Sequence, residues 1–344
     1  MRFNLLARWS LLAAAFLLAT PLSAATLNDV KAKGALSISL YKDFPPYSAI
    51  TNGQPIGIDV DIAKAIAQKL GLESQIRLVA ADENVEDDLR NNVWKGHYLG
   101  GGVTDIMLHM PVDNAFAEKV DKVKFIAPYQ METVAFAFNT NRVGKQPTLA
   151  NFMSEPIGVE IDTLSDLYLL QAMQGQISKN IRHYENLSKA AVALKNGEIA
   201  GIMGPRGELE GVLSNRPDSI QIQGLITPGL ARNSWAMGVA VKADNEELVN
   251  AVNTAMADLV NSGAIKDIFA RYRVGYNPPA APPQTPTAAA ATTSAPATTP
   301  TPAPPAALAL TTPPLATPVP ADASSSAPAA TPVTPAPTEA PKGQ

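Results

Sequence analysis

The sequence predicts an α/β protein of two similar lobes with a cleft between them. Three observations carry that expectation. Strand-like and helix-like runs alternate from Leu36 onward, the alternation restarts after Asn139-Thr140-Asn141, and globular composition stops near Asn277.

The first strand is the alternating run Leu36-Ser37-Ile38-Ser39-Leu40, which leads to a Pro45-Pro46 pair flanked by Phe44 and Tyr47. An Asn52-Gly53 turn follows. Ile58, Ile62, Ala65, Ile66, Lys69 and Leu70 then recur at helical spacing, with Gly71 as the stop. A strand–loop–helix unit of this type sets the strand's C-terminal end at the mouth of a crevice where ligands bind. The prolines hold Phe44 and Tyr47 on a rigid loop beside it. Residues 76–80 read as a second strand, 85–98 as a helix, and 104–110 as a strand ending in His109-Met110-Pro111. Residues 125–129 close this half, and 133–138 form a strong strand leading into the next. The second half repeats the scheme: strand 156–160, helix 164–173, strand 181–184, helix 188–195 stopped by Gly197, and strand 199–203. A strand at 234–241 and helices at 245–260 and 264–272 return to the first lobe.

The two ends differ from this body. Arg2 and Arg8 precede an apolar run over 11–18, and Ser23-Ala24-Ala25 offers a cleavage site. Residues 1–25 are therefore expected to be a secretory signal peptide, too short in its apolar part to span a bilayer. The sequence has no cysteine, which excludes disulfides, a thiolate metal site and a lipidated cysteine, and suits a periplasmic protein with a full core. A formal net charge of −4 argues against a nucleic-acid partner. Nineteen of the thirty prolines fall in residues 277–344, among Ala, Thr and Ser and without an aromatic residue. Such a segment buries too little apolar surface to order itself and is expected to be a disordered tail.

The sequence from Tyr41 to Tyr47 (YKDFPPY) and Gly57-Ile58-Asp59-Val60-Asp61-Ile62-Ala63 resemble the opening of the periplasmic solute-binding proteins of polar amino-acid ABC transporters, family 3. Asp105-Ile106-Met107-Leu108, Ala127-Pro128-Tyr129, Gly158-Val159-Glu160-Ile161-Asp162-Thr163, Ala193-Leu194-Lys195-Asn196-Gly197 and Ala264-Ile265-Lys266-Asp267-Ile268-Phe269 extend the likeness over roughly residues 27–274. The resemblance implies a two-lobed periplasmic-binding-protein fold of type II with two hinge crossings, near Asn139 and on the approach to Arg232. Lobe 1 is then 26–137 with 229–276, and lobe 2 is 138–228. It also implies a monomer that closes around one small ligand and delivers it to an ABC permease in the inner membrane, with no cofactor. In the family an aromatic after the first strand stacks on the ligand, the position of Tyr41 faces the pocket, and a Thr opening the lobe-2 helix contacts it. Phe44, Tyr41 and Thr163 stand at those positions.

The family's charged anchors are missing. Its Arg for an α-carboxylate belongs where this sequence reads His109-Met110-Pro111-Val112-Asp113, and its Asp for the α-ammonium where it reads Gly204-Pro205-Arg206-Gly207-Glu208. A zwitterion buried without counter-charges loses several kcal/mol, on the order of its desolvation cost, so the expected ligand is a small polar or acidic molecule other than a simple amino acid. Arg206 in a lobe-2 loop could pair with an acid, and His109 and Asp113 could add polar contacts. Each equally fits a structural role, as does Tyr47. Trp94–Gly102 (WKGHYLGGG) reads as a flexible insertion at the cleft rim rather than a phosphate loop, since no Lys-Ser/Thr follows. His97 and His109 make no metal site. Two other functions fit the resemblance: an accessory partner of a periplasmic quinoprotein dehydrogenase, and a dehydratase of cyclic acids. For the latter, Glu83, Asp113 and Glu208 are available, but no acid–base or nucleophile arrangement stands out.

Overall fold

The computed structural model describes residues 26–279, apart from residues 225, 226 and 231; the expected signal peptide and the tail beyond 279 lie outside the described residues. Helix α1 (Leu27–Lys33) opens with a capping box between Thr26 and Asp29 and ends at Gly34 in the left-handed region. It feeds β1 (Ala35–Tyr41). A hairpin of β2 (Ala49–Thr51) and β3 (Gln54–Ile56) turns at Asn52-Gly53, where both residues have positive φ. Helix α2 (Ile58–Lys69) returns the chain to β4 (Glu73–Val79), which pairs in parallel with β1.

Next come α3 (Val85–Leu89), β5 (Ile106–Val112), the single turn α4 (Asn114–Ala117) and the 17-residue β6 (Val123–Asn139). After α5 (Thr140–Val143), lobe 2 is built from β7 (Ile157–Glu160), α6 (Leu164–Gln171), β8 (Ile181–Tyr184), α7 (Leu187–Lys195), β9 (Gly201–Pro205), α8 (Arg206–Val212) and β10 (Ile220–Gln223). The chain then returns through β11 (Ser234–Lys242), α9 (Glu246–Asn261) and α10 (Ala264–Arg271).

The strands lie in the order β4-β1-β5-β11-β6-β9-β7-β8, with β10 beside β6. Strand β6 is what joins the lobes. Through Thr133 it pairs with β11 of lobe 1, and from Val134 it pairs with β9 of lobe 2. The second connection runs alongside, where the Val134 N–H donates to the Asn233 carbonyl at 2.9 Å. The changeover thus comes ahead of Asn139. Residues 125–129 and 133–138 read as separate runs in sequence because Pro128 interrupts the pattern. The structure accommodates it at an irregularity: Ala127 has φ +48° and the register against β11 shifts between Met237 and Val239.

Beyond the changeover the side chains of β6 alternate with period two. Val134, Phe136 and Phe138 pack with Phe152 and Val159 on one face, and Ala135 and Ala137 pack with Leu194 of α7 and Leu209 of α8 on the other. In lobe 1, Leu36, Ile38 and Leu40 pack with Ile62 and Ile66 of α2 and with Phe269 of α10. Each such side chain contributes about 1.5–3 kcal/mol of burial.

Four further expectations are corrected. The helix over 85–98 is only α3, followed by a π-helical turn at Arg90–Trp94. The glycine-rich loop after it is held by Arg77, whose Nη1 donates to the carbonyls of Gly101 (2.8 Å) and Gly102 (3.1 Å). Tyr98 is exposed to solvent, and Trp94 packs on the core of lobe 1. Arg206 begins helix α8 instead of lying in a loop, with Pro205 as N-cap; Gly207 and Gly211 hide that helix from a propensity reading. Finally, the ordered body runs past Tyr276: Asn277 exchanges hydrogen bonds with Gln130 and Met131 of β6.

Candidate functional site: a cavity between the lobes

Loop 42–48 is fastened from below by α2. The first N–H groups of that helix, which have no partner inside it, donate to the loop: Ile58 to the Pro46 carbonyl (3.0 Å) and Asp59 to the Tyr47 carbonyl (2.9 Å). Gly57 makes this approach possible. Its φ is +137°, and a Cβ there would lie 2.1 Å from the Tyr47 carbonyl oxygen. The loop closes on itself through reciprocal Phe44 and Ser48 backbone hydrogen bonds, both 2.8 Å, around a cis Pro45–Pro46 bond.

The aromatic rings form a stack whose outer member is Phe44. Tyr47, fully buried, lies 5.3 Å beneath it, and His109 meets both at 4.8 and 4.2 Å between centroids. His109 is held by the hydrogen bond from its Nδ1 to Asp59 Oδ2 (2.9 Å), and the Tyr129 hydroxyl donates to Asp59 Oδ1 (2.8 Å). All three residues are buried.

A cavity of about 320 Å³ opens against the outer face of Phe44. Phe44 and Trp235 form one wall; Glu160, Thr163, Met203 and Glu208, from the strand ends and helix starts of lobe 2, form the other. Glu160 accepts a hydrogen bond from the Leu187 N–H (3.2 Å), and burial raises its pKa. Glu208 is only 9 % exposed and makes no hydrogen bond or ion pair among the described residues. Burial, with Glu160 and Glu132 nearby, pushes its pKa well above the usual carboxyl range. Burial likewise raises that of Glu132, which accepts a hydrogen bond from the Gly207 N–H (3.3 Å).

Of the residues singled out in the sequence, Phe44 and Thr163 line this cavity. The Thr163 hydroxyl is engaged locally: it donates to the Glu160 carbonyl (2.8 Å) and accepts from the Asp166 N–H (3.3 Å) as the N-cap of α6. Tyr47 and His109 lie behind Phe44 as its support. The Tyr41 hydroxyl donates to Asp88 at 2.6 Å, and burial raises its pKa. Asp113 is the N-cap of α4 and pairs with Arg232 at 2.8 Å; the Phe116 N–H and that guanidinium hold its carboxyl below the usual range. Arg206 bonds Glu210 at 2.7 Å and faces a different hollow, shared with Gln130 and Gly275. It is therefore not available in the cavity as a counter-charge for an acidic ligand. No Lys, Arg or His lines the cavity among the described residues.

Sequence reasoning missed Glu160, Glu208 and Trp235 as a group. Glu208 had a visible signal, an acid four residues past the lobe-2 strand's last glycine, but only the fold of α8 turns it inward.

Residues 36–94 match the sequence profile of the bacterial extracellular solute-binding proteins, family 3. Over that stretch the chain is similar to family 3. The L-cystine-binding protein TcyJ of Escherichia coli K12 is 24% identical over 249 residues, which cover 72% of this chain and 85% of that one. The ABC transporter arginine-binding protein 1 of the same organism is 25% identical over 229 residues, 65% and 85% of the two chains. Among solved structures, an ancestral cationic amino acid solute-binding protein (AncCDT-1) superposes with a TM-score of 0.58 at 19% identity, over 72% of this chain and 99% of that one, and shares the two-lobed fold.

Proposed function

We propose that this family 3 relative captures a small polar solute between its lobes in the periplasm and hands it, as a monomer and without turning it over, to an ABC permease of the inner membrane. The observation that carries this reading is the cavity at the lobe boundary, whose walls come from both lobes: Phe44 and Trp235 on one side, Thr163 and Glu208 on the other. A ligand touching both walls stabilises the closed arrangement by its differential affinity for it, which is how hinge closure is driven. The relatives named as cystine- and arginine-binding proteins support the same reading. Phe44, backed by Tyr47 and His109, is the stacking platform; Tyr41, Asp113 and Arg206 have structural duties at its margins.

The test is a melting-temperature screen against small polar metabolites. A ligand present at about 100 times its Kd adds about 2.7 kcal/mol, roughly 5–10 °C for a body of this size. The shift is expected to vanish in Phe44→Ala. A ligand whose shift survives that change binds elsewhere and refutes the assignment. Uptake of that ligand in cells lacking the gene tests the transport half.

One observation favours a second reading as an enzyme. Burial pushes the pKa of the Glu208 carboxyl well above the usual range and the group lines the cavity, a setting that suits a general acid. No second titratable group stands opposite on the Phe44 wall, so binding is preferred; turnover of prephenate or arogenate by the purified protein would reverse the order.

A further inference from the structure

Resting on the solute-binding reading, the cavity also speaks to what the solute is. We infer that it takes a compact organic cation that carries no carboxylate, an amine or guanidine seated between the Glu160 and Glu208 carboxyls with its apolar face on Phe44 and Trp235. Four observations converge. Among the described residues, the charge-bearing side chains on the cavity wall are those two acids alone. Glu208 is nine-tenths buried, has no partner among the described residues and lines the cavity, so its carboxyl is free to meet an incoming donor. Aromatic faces beside carboxylates are a favourable setting for an organic cation. No Lys or Arg that would balance a ligand carboxylate stands on the wall among the described residues, and two arginines of this half are occupied elsewhere, Arg206 by Glu210 and Arg232 by Asp113.

The start of α6 also reaches the cavity through Thr163, and a helix start can receive a carboxylate. Here it is already served. Thr163 accepts the Asp166 N–H, and the buried Asp166 carboxylate in the first turn accepts from the Asp162 N–H (3.1 Å) and bonds His183 (2.9 Å). A ligand carboxylate placed there would face Asp166, Glu160 and Glu208 together. Binding of the cation is coupled to a proton. Glu208 is faced by Glu160 of β7 and Glu132 of β6, and burial beside them favours its protonated form. The incoming cation displaces that proton to solvent and leaves a carboxylate–cation pair.

Calorimetry with agmatine, choline, arginine and glutamate tests this, since agmatine is arginine without the carboxylate. Agmatine is expected to bind at least about tenfold more tightly than arginine, with glutamate silent. Glu208→Gln should weaken agmatine roughly thirtyfold or more. Arginine binding as tightly as agmatine overturns the inference, as does an unchanged affinity in a folded Glu208→Gln. If that variant does not fold, titration of the wild type in two buffers of different ionisation enthalpy replaces it: release of about one proton at neutral pH supports the proposal, and no release overturns it. Silence of both cations with binding of a neutral or acidic solute sinks the cation and leaves solute capture standing. Silence across the whole metabolite screen sinks both.

Discussion

Asp59 is 1 % exposed and still makes three interactions: its N–H holds the Tyr47 carbonyl, and its carboxylate holds both Tyr129 and His109. One residue therefore fixes the loop that carries Phe44 and the ring on which Phe44 rests. His109 adopts φ +63°, a conformation uncommon outside glycine, and its N–H bonds the same Tyr129 hydroxyl at 3.2 Å. Removing the carboxylate leaves a buried hydroxyl and a buried imidazole N–H without acceptors. Asp59→Ala is expected to lower stability by about 3 kcal/mol in urea unfolding and to weaken ligand binding through a loosened Phe44, although Asp59 does not line the cavity. A loss below about 1 kcal/mol would mean that the network is not what orders this loop.

At the scale of elements, α8 decides how closely the lobes meet. Its Gly207 and Gly211, four residues apart, share one face, and that face lies on the lobe-1 loop. A Cβ at Gly207 would sit 2.1 Å from the Tyr47 hydroxyl, and one at Gly211 2.4–2.7 Å from ring carbons of Pro46. Neither glycine has a left-handed backbone, so space alone demands it. Pro46 belongs to a stiff ring and cannot swing aside. Gly211→Ala is expected to part the lobes by a wedge. Small-angle scattering should show a larger radius of gyration, ligand affinity should fall about tenfold, and far-UV circular dichroism should stay unchanged because both cores are intact. An unaltered affinity would show that closure does not require this contact.

Across the whole molecule, the buried acids at the lobe boundary link stability to pH. Burial raises the pKa of Glu208 and Glu132 in the folded chain, whereas in the unfolded chain both return to the ordinary range. Below that range both states are protonated and the acids contribute nothing. Above it the unfolded state releases protons that the folded state keeps, so the unfolding free energy falls with rising pH until the folded groups ionise. Each group can contribute up to about 1.4 kcal/mol per pH unit in that window. The empty protein should therefore melt at a higher temperature at pH 5 than at pH 8. Glu208→Gln should flatten that difference by raising the pH 8 value; an unchanged pH profile in this variant would show that Glu208 is not the source. A bound cation should flatten it as well.

The local signals were enough to place most elements. Alternation marked β1, the Asn52-Gly53 pair marked the hairpin turn, and helical spacing with glycine stops marked α2 and α7, because these are properties of a few neighbouring residues. The same locality put Phe44 beside a crevice before any contact was known. What sequence could not assign was the use of each charge. Arg206 and Glu208 stand two residues apart and look equally available, yet on helix α8 one turns outward to Glu210 and the other inward to the cavity. His109 and Asp113 read as ligand contacts until the fold gives them Asp59 and Arg232 as partners. Arg206 as the partner of an acidic ligand rested on that apparent availability, and its guanidinium instead bonds Glu210. The sequence by itself determined the two-lobed α/β architecture and the aromatic mouth, since both follow from short-range periodicity and turn chemistry. Only the tertiary structure decided the sign of the charge inside, because that depends on which side chains, distant in sequence, neutralise one another and which are left facing the cavity.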